Sequence, residues 1–253
     1  MKSAFRIYDR EVQPGSRVSF DLKVPELYVH SDLSTPVHVI NGKREGPVLF
    51  ISGAVHGDEI IGVEIVRRVL ASKQLRNLKG TLIAIPVVNI FGFLNQSRYL
   101  PDRRDLNRSF PGSAKGSIAS RMANLFFEQV VEKSAYGIDL HTAAINRENL
   151  PQVRANVEDA EVEGMARAFG LPVIVNSGLI EGSLRASAGE VGVKMIVYEA
   201  GEALRFDEKA IRAGVNGVLK VMQHLGMIRK SSRRSAATAE PTLTNQSSWM
   251  RAP

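Results

Sequence analysis

Ile51-Ser52-Gly53-Ala54-Val55-His56-Gly57-Asp58-Glu59 is the stretch from which the architecture of this chain can be read. It closes an apolar run, Pro47-Val48-Leu49-Phe50-Ile51, whose β-branched and aromatic side chains are those of a buried strand. After it, Ile60, Ile61, Val63, Ile65, Val66, Val69 and Leu70 recur near helical spacing between Glu64, Arg67 and Arg68, which predicts a helix starting near Asp58. His56 and Glu59 therefore stand on a strand-to-helix turn, where residues i and i+3 can face one side. Such a turn lies at the carboxyl end of a strand, the place where open α/β sheets bind ligands. An imidazole and a carboxylate there suit zinc, whose catalytic sites use three protein ligands. The pair has a plainer reading too, as a turn histidine and a first-turn carboxylate favoured by the helix dipole.

The segments on either side repeat the pattern. Upstream, residues 1 to 46 read as short strands and turns, with Pro14-Gly15 and Asn41-Gly42 as turn signals and Val37-His38-Val39-Ile40 as a strand. Asn41-Gly42 is expected to close a hairpin onto the strand at 48 to 52, and His30 and His38 read as structural or exposed. Downstream, Asn77-Leu78-Lys79-Gly80 turns into a second buried strand, Thr81-Leu82-Ile83-Ala84-Ile85. Strand, helix and strand in alternation predict an α/β fold with a mixed, mainly parallel sheet flanked by helices.

From Pro86 to Gly116 the chain reads as a long loop carrying Arg98, Arg103, Arg104 and Arg108, with Asp105-Leu106-Asn107-Arg108 its most distinctive run. Long loops in compact domains are often functional. A guanidinium can grip a carboxylate through two hydrogen bonds, and Asn107 can add an amide donor, although a solvated basic loop has the same composition. Ile118 to Lys133 is an amphipathic helix with Met122, Leu125, Phe126, Val130 and Val131 on its buried face. Tyr136-Gly137-Ile138-Asp139-Leu140 is a third strand, ending at His141-Thr142-Ala143. This second histidine holds the same topological position as His56, in a chain with five histidines, and points to a shared site. Asp139 can orient one of these ligands, since metal-bound histidines commonly donate their other N–H to a carboxylate. A helix over 157–169, a strand over 172–176 and a glycine- and serine-containing loop with Arg185 follow. Val193-Lys194-Met195-Ile196-Val197-Tyr198 is then a strand ending at Glu199, and Asp207 to Leu225 a last amphipathic helix. A carboxylate such as Glu199, at a strand end near a metal site, is a natural general base, although a strand-end acid facing water has the same sequence.

Composition sets limits. At 253 residues the chain can bury a substantial core, and one domain of perhaps 230 residues with a tail fits better than two equal domains. Cysteine is absent, so a disulfide framework is excluded and any metal is left to His, Asp and Glu. No signal-like h-region or membrane-length apolar run is present, which makes the cytoplasm the expected location. The net charge of +7 comes from basic residues that are dispersed apart from Arg103-Arg104 and the run from Arg229 to Arg234, without the aromatic interleaving that stacks bases. Small anionic substrates are therefore preferred over nucleic acid, with no membrane partner expected and a homo-oligomer left open.

Taken together, Gly53-Ala54-Val55-His56-Gly57-Asp58-Glu59, Asp105-Leu106-Asn107-Arg108, Asp139-Leu140-His141-Thr142 and Tyr198-Glu199-Ala200-Gly201 resemble the succinylglutamate desuccinylase and aspartoacylase family, within the zinc carboxypeptidase-like folds. The match runs from about Pro36 to Leu225. It implies one zinc per chain held by His56, Glu59 and His141, with Glu199 as the base that takes a proton from the attacking water. It further implies that Arg98 polarises the scissile carbonyl, with Arg104 a competing alignment, and that Asn107 and Arg108 hold the substrate's carboxylate. Arg185 corresponds more loosely to another substrate-contacting arginine. The implied activity is zinc-dependent removal of an acyl group from an N-acyl amino acid. The alternatives are a zinc carboxypeptidase or amidase acting on a short peptide, and a non-catalytic binding remnant of the fold.

Two departures from the family pattern stand out. The catalytic domain is expected over 1–228. Residues 229–253 are expected to be a flexible tail leading toward a smaller C-terminal β domain, itself expected to be absent. In addition, Asn89-Ile90 stands where many relatives have asparagine followed by proline, a change expected to affect loop geometry only.

Overall fold

The computed structural model describes residues 2–25, 32–229 and 240–245, so His30, Trp249 and most of the tail lie outside the described residues. β1 (Phe5–Ile7) and β2 (Arg10–Val12) form a small antiparallel ribbon. The remaining strands are β3 (Ser16–Lys23), β4 (Ser34–Asn41), β5 (Arg44–Gly53), β6 (Lys79–Ile85), β7 (Tyr136–Ala143), β8 (Asn149–Ala155), β9 (Val173–Asn176), β10 (Lys194–Glu202) and β11 (Thr242–Thr244). They make one nine-stranded sheet in the order β11-β9-β8-β10-β7-β5-β6-β4-β3. Its centre, β10-β7-β5-β6, is parallel, while β8 runs against β10 and β4 runs against both β6 and β3. The sheet is thus mixed and mainly parallel at its core.

Helices α1 (Ile61–Leu70), α2 (Ile90–Leu94), α3 (Ile118–Phe126), α4 (Ala160–Phe169), α5 (Leu184–Glu190) and α6 (Glu208–His224) connect these strands. Alternation along β5 shows how both faces are covered. Leu49 and Ile51 pack into one core with Ile65 and Val66 of α1, Phe169 of α4 and Val218 of α6. Phe50 points the other way, into a second core with Met122 and Phe126 of α3 and Leu184 of α5. A central strand buried on both faces has to be apolar throughout, which is why this run was visible in the sequence. No helix among the described residues is long and apolar enough to cross a membrane.

Several expectations are corrected. Asn41-Gly42 does not close a hairpin onto β5, because β6 lies between β4 and β5. The turn carries the chain past the start of β6, with the Gly42 N–H donating to the Gly80 carbonyl at 2.9 Å and Thr81 Oγ1 donating to Asn41 Oδ1 at 2.9 Å. The helix expected from Asp58 begins at Ile61, because the turn at 56–60 is spent placing side chains. The α3 helix gives way to a wider π-helical turn over Phe127–Val131. The loop at 86–116 contains α2, where Ile90 is the first helical residue, a position that proline also suits. Both β8 and α5 arise in segments that lacked periodicity. Within the stretch read as a flexible tail, Thr242–Thr244 pairs in parallel with β9. His38 is half-buried on β4, its Nδ1 2.7 Å from Ser19 Oγ.

Candidate metal centre

Three carboxyl ends of neighbouring parallel strands meet at one place. β5 ends at Gly53 and leads into the turn that carries His56 and Glu59, while His141 stands near the end of β7. Glu199 is the register partner of His141 on β10, so both side chains leave the sheet on the same face. The β10 strand runs on through Glu199 to Glu202, so Glu199 lies within the strand and not at its end, next to an irregularity in the pairing between Glu199 and Gly201.

His56 Nδ1 lies 2.7 Å from Glu59 Oε1, and His141 Nδ1 lies 2.7 Å from Glu59 Oε2. The far nitrogens are held just as firmly. His56 Nε2 is 3.0 Å from Asp105 Oδ1, and His141 Nε2 is 2.6 Å from Asp139 Oδ2. Asp139 is itself fixed by the Ser52 hydroxyl, which donates to Oδ1 at 2.7 Å, and Glu59 Oε2 also accepts the Thr142 N–H at 3.0 Å. His56, Glu59, Asp139 and His141 are all buried. One ligand atom from each of His56, Glu59 and His141 lies within 4.8 Å of the others.

This donor set fits a divalent cation. Each imidazole presents Nδ1 to the centre while a carboxylate takes the proton on Nε2, the arrangement that orients metal-binding histidines and raises their basicity. With both imidazoles neutral, the negative charges of Glu59, Asp105 and Asp139 exceed the single positive charge of Arg98 by two, which a divalent ion balances. Protons can balance the same charges. Burial disfavours the charged form of both histidines, but Glu59 with Asp105 raises His56, and Asp139 with Glu59 raises His141 well above the usual imidazole value. Burial likewise pushes the Glu59 carboxyl up, and the two imidazoliums outweigh it and hold the group well below its usual range.

Arg98 reaches this centre from the loop after α2. Asn89 places it by accepting the Gly92 N–H at 2.8 Å and donating to the Arg98 carbonyl at 3.4 Å. The Arg98 guanidinium donates to Asp105 Oδ2 through Nε and Nη2, at 3.2 and 3.0 Å, and to Glu59 Oε1 through Nη1 at 3.2 Å. Arg104 is exposed and paired with Asp102 at 4.0 Å, so of the two competing arginines only Arg98 is in the centre. Asn107 and Arg108 form a short 3₁₀ turn beside the N-terminus of α5. The Leu184 N–H donates to Asn107 Oδ1 at 2.8 Å. Gly182 has a φ of +73°, and a Cβ there would stand 2.7 Å from the Arg108 carbonyl oxygen, so a glycine is needed where the two loops touch. Arg108 is exposed. Arg185 is largely buried, with Nη2 donating to Ser177 O, Ser177 Oγ and Gly178 O, and burial with the neighbouring Arg154 charge lowers it to about 10.

Glu199 is 15 % exposed and accepts from Asn149 Nδ2 at 2.8 Å, with Arg154 Nε 3.6 Å from its other oxygen. Burial raises its carboxyl above the usual value against the opposing pull of His141.

Four contributors were given no role in the sequence reading: Ser52, Asp105, Asn149 and Arg154. Ser52 and Asp139 are register partners, so a polar residue interrupting each of two adjacent buried strands was the available signal. Asp105 accepts the Asn107 N–H at 2.8 Å, a local turn its spacing permits but does not announce. Asn149 and Arg154 lie on β8, which contains Pro151 and lacks alternation.

A family model, the succinylglutamate desuccinylase/aspartoacylase catalytic domain, matches residues 45–225. The chain belongs to this family. Among curated proteins, the N-alpha-acetyl-L-2,4-diaminobutyric acid deacetylase of Halomonas elongata is 32% identical over 147 residues, covering 55% of this chain and 42% of that protein. The chain thus spans about two fifths of the curated relative's length. Among solved structures, the product-bound ectoine utilization protein EutE (DoeB) of Ruegeria pomeroyi superposes with a TM-score of 0.82 at 24% identity, covering 92% of this chain and 73% of that one. A succinylglutamate desuccinylase/aspartoacylase of Rhodobacter sphaeroides gives 0.80 at 23% identity, covering 90% and 71%. At such identities these structures establish the fold, which is the zinc carboxypeptidase-like architecture.

Proposed function

We propose that this family member hydrolyses the amide bond of a small, anionic N-acyl amino acid, using one zinc ion held by His56, Glu59 and His141. The observation that carries the reading is the convergence of both histidine Nδ1 atoms on Glu59 while Asp105 and Asp139 hold the Nε2 atoms. Zinc, when bound, supplies a Lewis acid that makes the attacking water more acidic and draws electrons from the amide carbonyl. Glu199 accepts the water's proton as the water oxygen bonds to the carbonyl carbon, and it returns that proton to the nitrogen as the C–N bond breaks. Its raised carboxyl suits both steps, because a base that must also act as an acid works best near the operating pH. Asn149 keeps the carboxylate aimed. Arg98, anchored on Asp105, offers guanidinium hydrogens to the developing oxyanion. Asn107, Arg108 and Arg185 receive the substrate's carboxylates, since a guanidinium can grip a carboxylate through two hydrogen bonds. The diaminobutyrate deacetylase among the relatives supports an N-acyl amino acid as the substrate class.

The test pairs zinc content with a substrate panel. Elemental analysis is expected to find about one zinc per chain, lost in His141→Ala. N-acyl amino acids are expected to release free amine, and short peptides are not. Turnover of peptides alone would move the reading to a carboxypeptidase or amidase. Zinc-loaded protein inert toward both sets would leave a ligand-binding remnant.

A further inference from the structure

A concave region lies at the end of the sheet opposite the candidate metal centre, where β3 and β5 begin, β4 ends and the chain leaves α1. This cleft measures about 470 Å³. Arg17, Lys43, Arg44, Lys73 and Arg76 line it, and no aspartate or glutamate does. None of the five has a carboxylate within 4.0 Å among the described residues, whereas Arg67, Arg68, Arg167, Lys194 and Arg212 each have one. Five cations thus share one concavity with no carboxylate in its lining.

The cleft has defined walls. Arg17 Nη1 donates to the Leu70 carbonyl at the last turn of α1 at 2.9 Å, which fixes the guanidinium and leaves its other hydrogens for a ligand. The Lys43 stem lies across Gly15, so closely that a Cβ on Gly15 would stand 2.8 Å from Lys43 Cγ. Leu75 and Leu78, both buried, and the half-buried Ile40 give the floor an apolar component. Five like charges around one concavity repel each other, and a compact multivalent anion relieves that repulsion. Lysines act as point charges and arginines as forks toward phosphate oxygens, and the volume falls within the roughly 300–1,000 Å³ range of small-molecule sites.

We propose that this cleft binds an organic di- or triphosphate, its phosphates among the five cations and its organic part against the Leu75–Leu78 floor. The site is separate from the candidate metal centre. Arg44 and Gly53 stand at opposite ends of β5, about 30 Å apart at roughly 3.3 Å per residue.

Calorimetric titration of the purified 253-residue chain with ATP, inorganic pyrophosphate and citrate tests it, together with two double variants. Lys73→Glu/Arg76→Glu reverses charge inside the cleft, and Lys115→Glu/Arg212→Glu makes the same change of net charge elsewhere. ATP and pyrophosphate are expected to bind more tightly than citrate, with ATP weakened about tenfold or more in the cleft variant, the value of one charge-assisted contact, and within about twofold in the control. Lysine acetylation of the unmodified chain keeps the test independent of variant folding: ATP is expected to protect Lys43 and Lys73. Absence of ATP binding, equal weakening in both variants, citrate binding as tightly as ATP, or unprotected Lys43 and Lys73 would each overturn the proposal.

Discussion

Replacing Asp139 by asparagine removes one charge from the candidate metal centre and almost no volume. Asp139 is fully buried on β7, with one oxygen accepting the Ser52 hydroxyl at 2.7 Å and the other 2.6 Å from His141 Nε2. A carboxylate accepts both hydrogen bonds, but an asparagine has a single acceptor oxygen. If that oxygen faces His141, the amide nitrogen faces Ser52 and the hydroxyl must turn to accept. If it faces Ser52, two donors confront each other across the imidazole. In both cases the charge that keeps the Nε2 proton in place and makes Nδ1 basic is gone. Loss of such a partner typically weakens metal binding by about 10- to 100-fold, or roughly 1.4–2.8 kcal/mol. In metal-free protein the lost charge-assisted hydrogen bond is worth roughly 1.5–3 kcal/mol. Zinc affinity would be read by competition with a chromophoric chelator near neutral pH, and stability by urea unfolding of the metal-free proteins. A variant that binds zinc within twofold of the parent would refute the claim that Asp139 sets the imidazole.

Glu199→Gln is expected to keep its zinc and lose about 10²- to 10⁴-fold in turnover, since Glu199 is outside the His56–Glu59–His141 trio; near-parental turnover would remove it as the base. Gly182→Ala places a side chain at φ +73° and 2.7 Å from the Arg108 carbonyl, so a stability loss of about 1–2 kcal/mol and a raised KM for anionic substrates are expected. An unchanged KM would show that Arg108 does not depend on that contact. The metal-free chain should respond to pH in a set direction. His56 and His141 are raised in the folded state, so their contribution is complete below the unfolded value of about 6.5 and is lost as pH rises through the folded values. Metal-free protein is therefore expected to unfold at higher urea near pH 6 than near pH 9, and zinc affinity to rise over the same window as protons leave Nδ1; opposite trends in urea titrations and zinc competition would contradict the assignment.

The elements that announced themselves in the sequence are those whose environment is uniform along their length. The central strands β5, β6 and β7 are buried on both faces, so they read as continuous apolar runs, and α1 and α6 bury one face at helical spacing. His56, Glu59 and His141 could be found because strand ends are where such sheets place chemistry, and strand ends can be counted from those runs. The β8 strand could not, because it lies between β9 and β10 near the sheet's edge, carries Pro151, and shows no alternation. Its two contacts to Glu199, from Asn149 and Arg154, went with it.

Chain order and side-chain chemistry were enough to specify the α/β class, the family resemblance and the His-Glu-His set, since each depends on residues close in sequence or on a repeated local pattern. Which strands are neighbours was settled only by tertiary packing. Asn41-Gly42 is a sound local turn, yet β6 lies between the two strands it joins, because a central parallel strand must be covered on both edges. The placement of Arg98, and not Arg104, beside Glu59 and Asp105, and the pairing of Asp105 with His56 across 49 positions, likewise follow from the folded loop. Partner choice at that distance depends on which groups burial forces together, a condition that no local pattern encodes.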